Sequence, residues 1–164
     1  LMVKHPQWII EECAEAGATY ITPHTDCIES DAFVTINRII ALGCKAGVAL
    51  NPAAPLDGIR HYLPLLSKVT IMIVDAGYAG QKVIEQMYDK IRALVRWREE
   101  MGLDFLIEAD GSMNGDVYRP LYEAGVDVVV LGPPALWDKD ADIERAWDVM
   151  RREVDSALEG VVRP

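Results

Sequence analysis

The chain has 164 residues, 51% of them hydrophobic, which suits one domain with a sizeable core. A formal net charge of −10 argues against nucleic acid or an anionic membrane as partner, because a polyanion is repelled; a small phosphorylated ligand held by backbone N–H groups stays open. Three cysteines, Cys13, Cys27 and Cys44, with no close pair, argue against a disulfide framework or a zinc site, and no apolar run approaches the ~18 residues of a membrane span.

In chain order, residues 1–3 read as the end of a strand, and a helix is expected to open at Pro6 and run to Ala16. From there one pattern repeats: a short β-branched run, a polar or glycine-bearing turn, then a longer helical pattern. Strands are expected at 19–24, 45–51, 69–75, 104–110 and 127–132, and helices at 31–42, 55–66, 82–101, 114–124 and 141–158. Gly17, Gly43, Gly102 and Gly125 each stand just before a strand, where a left-handed helix cap is expected. Residues 15–18 (EAGA) and 123–126 (EAGV) both lead into a strand, a faint internal repeat of one βα unit. No linker divides the chain and no signal-peptide pattern opens it. Alternating strands and helices predict a parallel sheet, open or closed into a barrel. The G-x-G-x-x-G of a dinucleotide fold is absent, and functional-looking residues sit at nearly every strand end, as a barrel requires. A full barrel takes eight strands and at least ~200 residues, so residues 1–164 are expected to form a single partial TIM-barrel domain.

Ligands meet a parallel sheet beyond the carboxyl ends of its strands, where His24, Asn51, Asp75, Asp110 and Gly132 are expected. Asp110 is delivered to the mouth, and Gly111 lets backbone approach a ligand; a helix cap with a turn glycine is the plainer alternative. Residues 75–81, Asp-Ala-Gly-Tyr-Ala-Gly-Gln, read as a phosphate-side loop or lid, or as an ordinary βα loop. Gly132, together with Gly111, matches the phosphate site built after a barrel's last two strands, a tight turn being the alternative. His24 reads as a ligand, a polar wall or a structural histidine. Met2 and Met72 read by default as core filling. Trp8, Trp97 and Trp147 read as packing between helices and barrel, and Lys45 as the only strand lysine.

Taken together and in order, these blocks resemble the ribulose-phosphate 3-epimerase family and its hexulose relatives. Leu1-Met2-Val3 with Pro6 resembles the family's third strand, Ala16-Gly17-Ala18 with Thr22 and His24 its fourth, and residues 45–52, Lys-Ala-Gly-Val-Ala-Leu-Asn-Pro, its fifth. Residues 72–81 resemble its phosphate-side loop, with Ala76 where proline is usual and Tyr78 where phenylalanine is usual. Glu108-Ala109-Asp110-Gly111-Ser112 resembles its metal-binding seventh strand. Asp-Gly-Ser in place of Asp-Gly-Gly, and the tryptophan-bearing helix at 94–102, look more like members acting on D-allulose 6-phosphate.

The resemblance implies a (β/α)8 TIM barrel of the ribulose-phosphate-binding type, N-terminally incomplete, running from about the end of strand three to strand eight and the last helix. It implies 3-epimerisation of a ketose phosphate, D-allulose 6-phosphate/D-fructose 6-phosphate or D-ribulose 5-phosphate/D-xylulose 5-phosphate. Two carboxylates would move the proton through an enediolate on one divalent metal ion, zinc, iron, manganese, cobalt or magnesium. Asp110 would be both metal ligand and catalytic acid/base. Gly77, Tyr78, Ala79, Gly80, Gly111, Ser112 and Gly132 would contact phosphate and substrate, and Met2, His24, Asn51 and Met72 would line the site. A cytoplasmic homo-oligomer is implied. Two departures stand out. The family's other three metal ligands and its second acid/base aspartate lie on strands two and three, the histidine of strand three falling immediately before Leu1. Pro133 stands where a serine or threonine is usual, and proline has no N–H for a phosphate. The chain alone is therefore expected to show little activity. A different phosphate-binding barrel enzyme, or a non-catalytic sugar-phosphate-binding or assembly protein, are the alternatives.

Overall fold

The computed structural model describes residues 1–78 and 80–162. Five strands, β1 (Tyr20–Ile21), β2 (Lys45–Leu50), β3 (Lys68–Met72), β4 (Leu106–Asp110) and β5 (Val128–Val129), form one sheet in the order β1-β2-β3-β4-β5. Every neighbouring pair is parallel. Spatial order equals chain order, with no switch point, so right-handed crossovers place all the connecting helices on one face. That is the winding of a TIM barrel, and the sheet is an arc of that fold. The helices are α1 (Ile10–Glu15), α2 (Ala32–Ala41), α3 (Gln86–Glu100), α4 (Gly115–Ala124) and α5 (Ile143–Ala157).

Helix boundaries follow local chemistry. Asn114 accepts from the Asp116 N–H at 2.9 Å to cap α4, and Asp142 accepts from the Glu144 and Arg145 N–H groups to cap α5. The four glycines expected to end helices all adopt positive φ. Four expectations are corrected. Residues 55–66 form two 3₁₀ turns, Leu56–Ile59 and Leu63–Leu65, because Pro64 has no N–H to donate and its ring opposes the carbonyl four residues back. The helix expected to open at Pro6 starts as a 3₁₀ turn, Pro6–Trp8, and becomes α1 only at Ile10. Residues 1–3 join no ladder among the described residues, although the Leu1 amino nitrogen donates to the Thr22 carbonyl at 2.5 Å and so lies beside β1. Trp8 and Trp147 are 62% and 47% exposed; only Trp97 packs on the core, with the Arg60 guanidinium 4.6 Å from its ring centre.

Strand alternation divides the sheet into two unlike faces. Ile21, Val48, Leu50, Val69, Ile71 and Ile107 are buried against Ile10, Ile36, Ile39, Ile91, Leu94 and Leu121 of the helices. Each such side chain contributes about 1.5–3 kcal/mol relative to exposure. The opposite face is the barrel interior, and it is polar. Tyr20, Thr22 and His24 come from β1 and its extension, Lys68 and Thr70 from β3, and Glu108 and Asp110 from β4.

Candidate active site

The five strand-end residues lie at one edge of the sheet. His24 bridges to Ala49 beyond β1, Asn51 follows β2, Asp75 lies three residues past β3, Asp110 ends β4 and Gly132 lies three residues past β5. Two adjoining cavities open there, of about 310 and 430 Å³, and Met2, Met72 and Asp110 line both. The deeper one runs down the barrel interior past His24, Lys68, Thr70 and Glu108. The outer one is lined by Gly77, Tyr78, Gly80, Gly111, Ser112 and Gly132. Ala79 lies outside the described residues. Asn51 lines neither cavity; its amide reaches toward Asp26 at 3.4 Å.

Asp110 stands where the two cavities meet. Burial, and then the nearby Glu108 carboxylate, raise its proton affinity; His24, the Gly111 N–H and Lys68 oppose them less strongly. His24 is 6% exposed, and burial holds its imidazole below the ordinary histidine range despite Asp26, 4.0 Å away. It lines the deeper cavity. Beneath Asp110, both Glu108 oxygens meet the Lys68 ammonium, at 2.9 and 3.0 Å, and the Thr70 hydroxyl donates to Glu108 at 2.8 Å. β3 and β4 run in register with Thr70 opposite Glu108 and Met72 opposite Asp110, so this cluster is built by strand pairing.

The outer cavity is shaped by two loops. Gly111 has φ 124°, and a Cβ there would run into the Val74 side chain. Ser112 follows at φ 46°, a left-handed conformation uncommon for serine, and its hydroxyl donates to the Gln81 carbonyl at 2.7 Å. The serine expected to contact phosphate therefore lines the cavity with its hydroxyl already engaged across the two loops. Pro133 begins a single π turn, Pro133–Trp137, directly after Gly132.

Sequence reasoning missed Lys68, Thr70, Glu108 and Gln81. Lys45 is not the only strand lysine, since Lys68 opens β3. Alternation carried the missing signal: Lys68, Thr70 and Met72, and Glu108 and Asp110, are spaced by two and share a face. The expected metal site is not made by these residues. Among the described residues no three His, Cys, Asp or Glu side chains are placed to hold a metal ion, and the Glu108 carboxylate is taken by Lys68 and Thr70.

The model of the "Ribulose-phosphate 3 epimerase family" matches residues 1–136. The ribulose-phosphate 3-epimerase of Synechocystis sp. is 38% identical over 136 residues, covering 80% of this chain and 58% of that protein. The Escherichia coli ribulose-phosphate 3-epimerase is 36% identical over 154 residues, covering 94% and 67%. That of Methanocaldococcus jannaschii is 38% identical over 158 residues, covering 96% and 65%. The chain thus spans about three fifths to two thirds of the length of these curated relatives. The crystal structure of KGPDC from Streptococcus mutans matches with a TM-score of 0.67 at 15% identity, over 92% of this chain and 67% of that one, a likeness of fold. By the family match and by identity over most of its length, the chain belongs to the ribulose-phosphate 3-epimerase family.

Proposed function

We propose that this chain supplies the phosphate side and one proton-transfer face of a ketose-phosphate 3-epimerase site. The observation that carries the reading is the position of Asp110, a carboxyl of raised proton affinity standing between a polar interior and a glycine-lined outer cavity. The C3 proton of a 2-ketose is acidic because it lies α to the ketone. A carboxyl of raised proton affinity is better matched to taking and returning such a proton than an ordinary carboxylate is. Gly77, Gly80, Gly111 and Gly132 leave backbone exposed around the outer cavity, where a phosphate would sit. Inversion at C3 needs a second group on the opposite face. Of the other two carboxylates lining the cavities, Glu108 is bound to Lys68 and Thr70, and Asp75 is bound to Gln81. A divalent metal, which the resemblance implies, would find Asp110 but no further set of ligands among the described residues.

The names of the relatives favour a pentulose phosphate; Ser112 and the helix bearing Trp97 favour a hexulose phosphate. Calorimetric titration of the 164-residue chain with ribulose 5-phosphate, allulose 6-phosphate and the unphosphorylated sugars tests the reading. Binding that requires the phosphate supports it and ranks the two substrates. No binding of either phosphate ester overturns it. A second reading, a protein that binds sugar phosphate without turning it over, is favoured because Glu108 and Asp75, the other carboxylates lining the cavities, are each bound to neighbouring side chains. Both readings predict binding; deuterium exchange at C3, measured with this segment joined to the preceding strands of a family member, separates them.

A further inference from the structure

Gln81 lines neither cavity, yet both loops of the outer cavity hang on it. Its side-chain oxygen accepts from the Asp75 N–H at 2.5 Å, and its side-chain nitrogen donates to Asp75 Oδ2 at 2.9 Å. One amide thus reads both the backbone and the carboxylate of Asp75 and closes the loop at residues 75–81. Its own carbonyl accepts the Ser112 hydroxyl, which belongs to the loop after β4. Ser112 in turn accepts, through its carbonyl, from Asn114 Nδ2 at 3.0 Å, and Asn114 caps α4. A continuous path of hydrogen bonds therefore runs from Asp75 through Gln81 and Ser112 to the first turn of a helix. The loop it restrains is exposed and carries Gly77 and Gly80, both at φ 83°, residues that are costly to hold still.

The geometry points to Gln81 as a positioning residue that fixes the spacing between the two glycine loops and so determines how tightly a phosphate is held between them. This role rests on the functional reading above and deepens it. A phosphate bound by backbone N–H groups needs those groups pre-set at one separation, because ordering them at the moment of binding weakens affinity. Gln81 does that without touching the ligand. The serine at position 112 belongs to the same device, since glycine there would supply no hydroxyl for the Gln81 carbonyl.

The test uses the 164-residue chain, with inorganic phosphate and ribulose 5-phosphate as calorimetric probes and hydrogen–deuterium exchange as a ligand-free readout. Gln81→Leu keeps the volume and removes the amide. It is expected to weaken both ligands about tenfold, the scale of one to two lost hydrogen bonds. It is also expected to speed exchange in residues 75–81 and in residues 111–113 while leaving β2 unchanged. Asp75→Ala should do the same from an exposed position, whereas Asp75→Asn, which keeps an acceptor oxygen for Gln81, should retain most of the affinity. The Gln81 carbonyl that accepts from Ser112 belongs to the main chain and survives Gln81→Leu, so Ser112→Ala should weaken binding in the parent and weaken it further when added to Gln81→Leu. Equal binding by parent and Gln81→Leu, or faster exchange confined to residues 75–81, overturns the positioning role alone. Absence of binding by the parent chain overturns both this role and the functional reading beneath it.

Discussion

Glu108→Leu is expected to destabilise the fold by far more than the loss of an ordinary polar side chain. The Lys68 and Glu108 side chains are 15% and 12% exposed, and the ammonium lies within 3.0 Å of both carboxylate oxygens. Removing the carboxylate alone leaves the Lys68 charge and the Thr70 hydroxyl without their partner. Breaking a buried pair from one side costs about 3–5 kcal/mol, and the deeper cavity beside this pair, which admits water, places the expectation near the lower figure. The Tyr20 ring, 5.4 Å from the Lys68 ammonium, offsets a further part, about 0.5–1 kcal/mol. Lys68→Met combined with Glu108→Leu removes both charges and returns apolar volume, so the double variant should lie within about 1 kcal/mol of the parent. The coupling between the two sites should then be about 2 kcal/mol or more. Urea unfolding of the four proteins, followed by circular dichroism, measures it. Simple additivity of the two single costs, or a Glu108→Leu cost below about 1 kcal/mol, would refute the account of an enclosed and mutually dependent pair.

Asp110→Asn, in this segment joined to the preceding strands of a family member, should lower kcat by at least about a thousandfold, because acid–base catalysis alone is worth about 10²–10⁴. Asp75→Asn should be much milder, and more than about a tenth of parent activity in Asp110→Asn would show that the catalytic carboxylate is elsewhere. The same Asp110→Asn change should raise the melting temperature of the 164-residue chain at pH 7. The folded state holds the Asp110 proton more tightly than the unfolded chain does, so the contribution of Asp110 to stability is present below the unfolded carboxyl value of about 4 and is lost as pH rises through the higher native one. The gain should therefore vanish at pH 3, and a lower melting temperature at pH 7 would contradict the direction of the shift. The 164-residue chain alone should bring about little deuterium exchange at C3 of ribulose 5-phosphate or allulose 6-phosphate, with or without divalent metal; turnover at the rate of an ordinary epimerase would mean that the catalytic groups are misplaced.

How far the fold was legible depended on which physical signal each segment carried. The glycines at positions 17, 43, 102 and 125 marked helix ends correctly, because a left-handed cap is a backbone requirement that one residue type meets most easily. The segment at 55–66 misled for the opposite reason. Ile59, Leu63 and Leu66 fall at helical spacing and are indeed buried, but spacing reports which side faces the core and not which backbone carries it; Pro64 decided the backbone. Asp110 could be set at the mouth of the sheet because it ends an apolar strand before a glycine turn, although a helix cap would have read the same way; the cap of α4 is in fact Asn114. Asn51, quoted in the same block as the strand that precedes it, lines neither cavity, because a residue one step past a strand takes its direction from its neighbours, here Asp26. Lys68 was hidden by a strand boundary placed one residue late, and without it Glu108 had no visible partner. Gln81 was hidden because its role is a relation between two loops that lie 31 residues apart at the Ser112 contact.

The two faces of the sheet explain why such a site tolerates its own costs. The outer face is sealed by isoleucine and leucine from four helices, so the arc draws its stability mainly from that face, and the intact charge pair on the inner face adds little net to it. The inner face can then hold a lysine, a glutamate and a carboxyl whose ionisation the fold opposes. The cluster beneath Asp110 is not passive: Glu108 is the second cause of the raised proton affinity of Asp110, and Lys68 counters it from the same pair. Glu108 can act on Asp110 in this way only because strand alternation puts them two residues apart on one face, and because Lys68 and Thr70 hold the carboxylate away from solvent. Met72, which is buried, adds to the same effect by lining both cavities next to Asp110, which shields the carboxyl without offering it a hydrogen bond. Any element that closed the barrel beside β1 would bury Asp110 further and push its proton affinity the same way, whereas a cation brought to the mouth would reverse it.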